Sequence, residues 1–240
     1  MYLNSNNPTI NKIYQTLQST KDLLVSSLIY GEKYIGKKSL VKQIFNNSYW
    51  VDGSNIDDVK KALKNYSHIV ITNFEKINNF DILDFENINV VAIYNGKDYD
   101  KRLENKFAFI YHIPPLSQRK EDIELFSQHF LKEAKEIFDI EEEIKIDTKD
   151  LDLSKNLKSL KSSIYKAAIF KSANKDDLIE IMHNYFLKNY EGINVYKEQL
   201  EIFEKTLIKT GLEIYGSQLK LSEVLGINRN TLRKKINEYF

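Results

Sequence analysis

A turn rich in glycine and lysine near the amino terminus has the spacing of a phosphate-binding loop. Gly31 is followed after four residues by Gly36 and Lys37, which fits the pattern G-x-x-x-x-G-K. In such loops the glycines let backbone amides surround phosphates, and the lysine reaches the outer phosphates. Lys38 stands where most such loops have a hydroxyl that binds Mg²⁺. The candidate nucleotide-binding residues are therefore Gly31, Gly36, Lys37 and Lys38, and the alternative is a chance turn.

A second group of polar side chains lies in the basic carboxyl-terminal segment. Residues 216–240 carry five cations and two anions, whereas the whole chain has a net charge of +1. Arg229 and Arg233 are four residues apart, so they share one helical face. Arginine makes bidentate contacts to guanine in the major groove, and lysines suit phosphates. The alternative is an amphipathic surface helix with ordinary solvated charges.

Two short helices joined by Gly226 would position this basic group. Residues 218–225 have the pattern of the first helix, and Asn228 is a good N-cap for the second. Leu232 and Ile236 lie on the face opposite the arginines and can form a small core. The predicted DNA-binding residues are Gln218, Asn228, Arg229, Asn230, Thr231, Arg233, Lys234 and Lys235.

The elements around both groups divide the chain into two parts. Up to Pro114-Pro115, apolar runs of strand length alternate with helical patterns, which predicts an α/β unit with a largely parallel sheet. After Pro115 helical periodicity dominates, and we expect a joint between domains near Glu191-Gly192. The predicted strands are residues 23–30, 49–51, 69–71, 90–93 and 109–111, with helical patterns at 11–18 and 56–63.

Composition excludes several classes of site. The chain has 240 residues and no cysteine, so disulfides and cysteine-based zinc sites are excluded. The four histidines lack the H-x-x-x-H spacing of a metal site, and we predict neither a metal site nor catalytic residues. No apolar stretch approaches the roughly 18 residues of a spanning helix, and no signal-peptide pattern is present. We therefore expect a cytoplasmic protein with no membrane partner.

The carboxyl-terminal string resembles the recognition segment of the Fis family almost letter for letter. That string is Leu225-Gly-Ile-Asn-Arg-Asn-Thr-Leu-Arg-Lys-Lys235, and the resemblance, shared with NtrC-type activators, covers about residues 196–240. It implies double-stranded DNA as partner and a homodimer formed through about residues 196–212, on half-sites roughly one helical turn apart. Leu221 and Ser222 replace two alanines common in the family, and we expect Leu221 to alter helix packing.

The amino-terminal motifs resemble NtrC-type AAA+ domains. The loop from Gly31 to Lys37 is similar to their Walker A motif, and residues 114–131 resemble the start of their lid. Lys158 occupies the place of a nucleotide-sensing arginine. The resemblance implies an α/β AAA+ P-loop-like domain with a parallel sheet, a helical lid and a carboxyl-terminal all-α Fis-type helix-turn-helix domain. The expected bounds are residues 1–115, 116–190 and 191–240.

The departures from the AAA+ pattern affect metal binding and hydrolysis. The strand that should end in Asp-Glu ends in Thr72-Asn73, and Glu75 could substitute only with a register shift of two residues. Phosphoryl transfer depends on positioned metal and charge, so we expect no ATPase activity. The arginine-finger region retains only Arg102, and the span from Lys37 to Ile69 is too short for the GAFTGA loop that engages sigma-54. No cofactor is required, and ATP or ADP remain candidate ligands.

These features predict a sequence-specific DNA-binding transcriptional regulator that acts as a dimer and does not activate sigma-54 polymerase. We expect base contacts from Asn228, Arg229 and Arg233. Phosphate contacts are expected from Thr231, Lys234 and Lys235. One alternative is a Fis-like architectural protein that bends DNA with little sequence preference. The other is an ATPase that acts on DNA or on a partner.

Overall fold

The structure is a computed structural model that describes residues 5–147 and 151–240. The chain divides into two compact units, Met1–Ala173 and Asn174–Phe240. The first unit contains both the sheet and the lid. The division after Ala173 assigns the helix Lys175–Asn189 to the second unit, whereas sequence patterns place the joint near Glu191-Gly192.

A five-stranded parallel sheet forms the centre of the first unit, with strand order β2-β3-β4-β1-β5. The strands are β1 (Ser27–Gly31), β2 (Tyr49–Asp52), β3 (His68–Thr72), β4 (Asn89–Asn95) and β5 (Phe109–His112). All five lie where the sequence predicts them. However, β1 begins at Ser27, because the preceding Leu23 and Leu24 are exposed in the connection from the first helix.

Helices cover both faces of the sheet, and a helical lid follows it. The helices are α1 (Pro8–Thr20), α2 (Lys37–Ile44), α3 (Ile56–Asn65), α4 (Lys120–Phe138) and α5 (Leu157–Ser172). Successive strand residues point to opposite faces. In β1, Ile29 packs with α1 and α2, whereas Leu28 packs with α3. In the lid, Phe126 and Phe130 of α4 pack against Leu160 and Ile164 of α5.

The second unit is entirely helical in its regular structure. Its helices are α6 (Lys175–Asn189), α7 (Val195–Tyr215), α8 (Gln218–Leu225) and α9 (Arg229–Tyr239). Ile208 of α7, Leu221 of α8 and Leu232 of α9 form its small core. The bounds of α8 are those that the sequence predicts, whereas α6 was not predicted as a separate helix. In residues 5–147 and 151–240, no helix is both long and apolar enough to span a membrane.

Candidate nucleic-acid interface and phosphate-binding loop

Side-chain caps begin both α8 and α9, and a glycine ends α8 at the turn between them. Ser217 caps α8, because its Oγ accepts a hydrogen bond from Lys220 N at 3.5 Å. Gly226 ends the helix with φ +65°, a conformation that costs glycine little. Asn228 then caps α9, since its Oδ1 accepts a hydrogen bond from Asn230 N at 2.8 Å. The side-chain carbonyl of Asn228, a predicted base-contact residue, is thus committed to the cap.

The outward face of α9 carries most of the predicted DNA-binding residues. Leu232 is fully buried and fixes which face of the helix points inward. Within the described parts of the chain, neither Arg229 nor Arg233 lies within 4.0 Å of a carboxylate. Their guanidinium groups are therefore free to bind an external acceptor. The exposed predicted residues are Gln218, Asn228, Arg229, Asn230, Thr231, Arg233 and Lys234.

Lys235 differs from the other predicted residues because it points back to α7. Its Nζ donates a hydrogen bond to Oε2 of Glu204 at 2.6 Å, and the hydroxyl of Tyr239 donates to the same oxygen at 2.6 Å. These two hydrogen bonds lower the pKa of Glu204, and the bond to Glu204 raises the pKa of Tyr239 to about 12. Lys235 therefore joins α9 to α7, a contact that sequence spacing could not reveal.

In the first unit, the predicted phosphate-binding loop lies between β1 and α2. Gly31 has φ +147°, and an added Cβ would overlap the carbonyl oxygen of Ile113. Gly36 has φ +102° and precedes the first turn of α2. The Nζ of Lys37 donates hydrogen bonds to the carbonyls of Gly31, at 2.7 Å, and Glu32. The loop thus has the strand-loop-helix context that the motif requires.

The ammonium group of Lys37 is held in an unusual environment. Its side chain is only 4% exposed, and burial lowers its pKa to about 8 despite the opposing charges of Glu75 and Glu32. An anion that replaced the two carbonyl contacts would compensate for that burial. Its burial and its two carbonyl contacts distinguish Lys37 from a solvated surface lysine.

Strand β3 ends at Thr72, and Asn73 follows it directly. The hydroxyl of Thr72 donates to Val51 O at 3.4 Å. Asn73 has φ +52°, and its Nδ2 donates to Oδ2 of Asp52 at 2.7 Å. The 3₁₀ turn that follows returns Glu75 to this edge. There its two oxygens accept from the backbone N and the Nδ2 of Asn95, at 3.0 and 2.8 Å.

Two cavities adjoin the phosphate-binding loop. The larger, of about 520 Å³, includes Gly36, Asn73 and Asn95 in its lining, together with five lysines. The smaller, of about 300 Å³, is bounded mainly by apolar side chains of α1, α2 and the lid. Ile35, Gly36, Ser39 and Leu157 line both cavities. The lysines of the larger cavity are Lys33, Lys37, Lys38, Lys158 and Lys161.

Two buried lid residues hold the loop in place, and sequence reasoning gave neither of them a role. Asn156 donates from Nδ2 to Oε2 of Glu32 at 3.0 Å and accepts from Leu116 N at 2.7 Å. Arg119 donates to Ile35 O at 2.9 Å and to Oδ2 of Asp122 at 3.0 Å. Both lie within segments that resemble the AAA+ lid, which was the available signal.

Arg102, in the region of the arginine finger, binds Asp100 at 2.6 Å and lies 3.6 Å from Asp81. Among residues 5–147 and 151–240, no three His, Cys, Asp or Glu side chains gather in an arrangement that could hold a metal ion.

Comparison with known proteins identifies the carboxyl-terminal part of the second unit. Residues 199–239 match the family model described as bacterial regulatory protein, Fis family. The chain therefore carries a Fis-family helix-turn-helix domain. A protein of Pseudomonas aeruginosa, named as a Fis-like DNA-binding protein, is 40% identical to the chain over 68 residues. The match covers 27% of the chain and 65% of that protein, so the chain spans just under two thirds of its length. The Fis-family domain thus accounts for α7 to α9.

Solved structures identify the fold of the rest of the chain. NtrX from Brucella abortus in complex with ATP superposes with a TM-score of 0.53 at 16% identity, covering 99% of this chain and 69% of that one. Its complex with ADP gives 0.51 at 15% identity, with coverage of 99% and 69%. At such identity the likeness shows the fold alone. The sheet and lid that precede the Fis-family domain therefore have the fold seen in these NtrX structures.

Proposed function

We propose that this protein is a sequence-specific DNA-binding transcriptional regulator. The observation that carries the proposal is the exposed, basic face of α9 in a Fis-family helix-turn-helix domain. Arg229 and Arg233 lie four residues apart on that face, where they can reach guanine edges in the major groove. Thr231, Lys234 and the amino-terminal amides of α9 can contact phosphates. Lys235 contributes mainly through its contact with α7.

The proposed regulator acts as a homodimer through α6 and α7. A groove of about 490 Å³ lies between these helices, and its lining is almost wholly apolar. Met182 and Phe186 of α6 line it with Phe203 and Leu207 of α7. Phe203 is 51% exposed in the single chain. Contiguous apolar surface of this kind marks an interface, and a second copy would supply matching side chains through a two-fold axis.

A binding assay tests the proposed DNA contacts. The affinity of the full chain for a selected duplex and for a scrambled duplex is measured at fixed salt, because phosphate contacts depend steeply on salt. Arg229→Ala should cost about 1–3 kcal/mol on the selected duplex and less on the scrambled one. Lys234→Ala should weaken both duplexes equally. Equal weakening of both duplexes by Arg229→Ala would show that Arg229 does not read bases.

The AAA+ fold of the first unit supports a second, nucleotide-binding role. The buried Lys37, held by two loop carbonyls, and the adjoining lysine-lined cavity favour ATP or ADP as the ligand. We propose that Gly31, Gly36, Lys37 and Lys38 bind it. Lys37→Ala should abolish nucleotide binding measured by calorimetry, and unchanged binding would contradict this role.

Hydrolysis and sigma-54 activation are not part of the proposed function. The carboxylate of Glu75 is hydrogen bonded to Asn95 by both oxygens, and Thr72 and Asn73 supply no charge. Only residues 53–55 separate β2 from α3, and only residues 66 and 67 separate α3 from β3. Neither connection contains an inserted hairpin. Mg²⁺-dependent phosphate release that Lys37→Ala abolishes would overturn the non-hydrolysing assignment.

A further inference from the structure

We propose that the phosphate-binding loop binds a nucleoside di- or triphosphate without a divalent cation, with lysine side chains in place of the metal. This inference rests on the nucleotide-binding role proposed above and specifies the form of its ligand. It follows from two observations on the larger cavity. The side chains at its metal-binding positions do not suit Mg²⁺, and cations surround the space where phosphates would lie.

The first observation concerns the donor set. Magnesium requires oxygen ligands in near-octahedral geometry and is usually held by one or two carboxylates in addition to the phosphates. Lys38 occupies the position after the loop lysine, where it presents an ammonium group instead of an oxygen. Thr72 directs its hydroxyl to Val51 O, and the amide of Asn73 is bound to Asp52 and Asn95. Neither group supplies the negative charge of the carboxylates that usually hold Mg²⁺.

The first acidic residue after β3, Glu75, is also held by hydrogen bonds. Glu75 accepts two hydrogen bonds from Asn95, one at each carboxylate oxygen. Glu32, in the loop itself, accepts from Asn156 and lies 3.6 Å from Lys97. Within the described part of the chain, no carboxylate lines the larger cavity. The residues present therefore do not fit Mg²⁺.

The second observation concerns the cations. Lys33, Lys38 and Lys158 line the cavity with exposed side chains. Lys37 is buried at its base. Lys161 is largely committed to Glu133, at 2.9 Å. Three exposed cations and one buried cation can neutralise a nucleoside triphosphate, which is the task that a metal performs in most phosphate-binding loops. A Mg²⁺ ion would instead be repelled by these lysines.

The base of the ligand has a defined place in the same unit. The smaller cavity shares Ile35, Gly36 and Leu157 with the larger one, so the two cavities adjoin, and the base of the proposed nucleotide would lie in the smaller one. Its lining by Tyr14 and Phe126 suits an apolar ring. The ligand class is therefore a nucleotide rather than inorganic polyphosphate.

The inference is tested by isothermal titration calorimetry of the full chain with ATP and with ADP. The affinity is measured once in buffer with excess Mg²⁺ and once in buffer with EDTA. We expect binding in EDTA to be as tight as in Mg²⁺ or tighter. Inorganic tripolyphosphate should bind more weakly than ATP. Binding that requires Mg²⁺ would overturn the metal-free inference but leave the nucleotide role intact. An absence of binding in both buffers would overturn both.

Two charge-reversal variants on α2 sharpen the test. Lys38→Glu should weaken binding of metal-free ATP by about tenfold or more, because it removes one charged contact and adds a repulsive charge. Added Mg²⁺ should then restore part of the affinity. Lys42→Glu is the matched control, since Lys42 is exposed on the same helix and does not line the cavity. Equal effects of the two variants in EDTA would contradict a direct role of Lys38.

Discussion

The side chain of Leu221 occupies space that Gly211 leaves open. Both residues are buried, and a Cβ added to Gly211 would overlap the terminal carbons of Leu221. The Fis-family pattern commonly has a small residue at the position of Leu221, so a large side chain was expected to alter helix packing. The glycine on α7 accommodates the leucine on α8, and the close contact lies within the small core of the Fis-family domain.

This contact predicts an unusual response to mutation. Alanine is normally better than glycine inside a helix, but Gly211→Ala should destabilise the domain by about 1–3 kcal/mol through overpacking. Leu221→Ala alone should also destabilise, because it leaves a cavity. The double variant should be more stable than the sum of the single effects predicts. Urea unfolding followed by far-ultraviolet circular dichroism, at fixed protein concentration, measures all three. Simple additivity would contradict the contact.

The acid stability of the same domain should depend on Glu204. Hydrogen bonds from Lys235 and Tyr239 lower the pKa of Glu204 in the folded state. A lowered folded-state pKa contributes stability above the unfolded value, about 4.3, and that contribution is lost as pH falls through the folded value. Glu204→Gln should therefore flatten the pH dependence of the unfolding midpoint between neutral and acid pH. Glu213→Gln, an exposed change on the same helix, is the control. An equally steep dependence in Glu204→Gln would exclude this contribution.

The stability of the first unit should depend on the ion pair between Arg119 and Asp122. Both side chains are buried, and Asp122 also accepts hydrogen bonds from the hydroxyl of Ser5 and the backbone of Asn6. Asp122→Ala leaves a buried cation unpaired, which typically costs about 3–5 kcal/mol. Thermal unfolding followed by the fluorescence of Trp50 reports on this unit. A smaller loss of thermal stability in Asp122→Ala than in the exposed control Glu136→Ala would contradict the role of the ion pair.

The proposed homodimer should depend on the apolar groove between α6 and α7. Phe203→Asp places a charge in the groove and should shift the chain to monomer in light scattering coupled to size exclusion. Ile214→Asp is the matched control, because Ile214 is exposed on α7 but does not line the groove. In the Phe203→Asp variant, the affinity for DNA should fall together with the fraction of dimer. A dimer that survives Phe203→Asp would place the interface elsewhere.

Local sequence patterns were sufficient to predict the sheet and the helix-turn-helix. The strands are buried apolar runs, and Gly226 and Asn228 mark the junction of α8 and α9 through their backbone preferences. The helix α6 was missed, although Leu178, Ile181, Met182 and Tyr185 repeat at helical spacing. None of its residues is buried within the single chain, because this apolar stripe lines the groove beside α7 instead of a core.

Sequence patterns did not predict the contacts between residues that are distant along the chain. Lys235 and Glu204 meet only because α9 crosses α7, and nothing in either segment alone predicts that crossing. Similarly, the left-handed conformation of Asn73 decides where Glu75 lies, and an asparagine permits that conformation without requiring it. The phosphate contact of Lys235 stays a prediction, and the structure adds a contact between helices that the sequence did not reveal.

Selection of random-sequence DNA by the purified full chain, at near-physiological salt, tests the central claim most directly. The account predicts a sharp motif with two-fold symmetry and half-sites about one helical turn apart, and Arg229→Ala should lose information at specific positions of that motif. Enrichment of nothing beyond AT-rich sequence would contradict sequence-specific regulation and would favour an architectural protein that bends DNA.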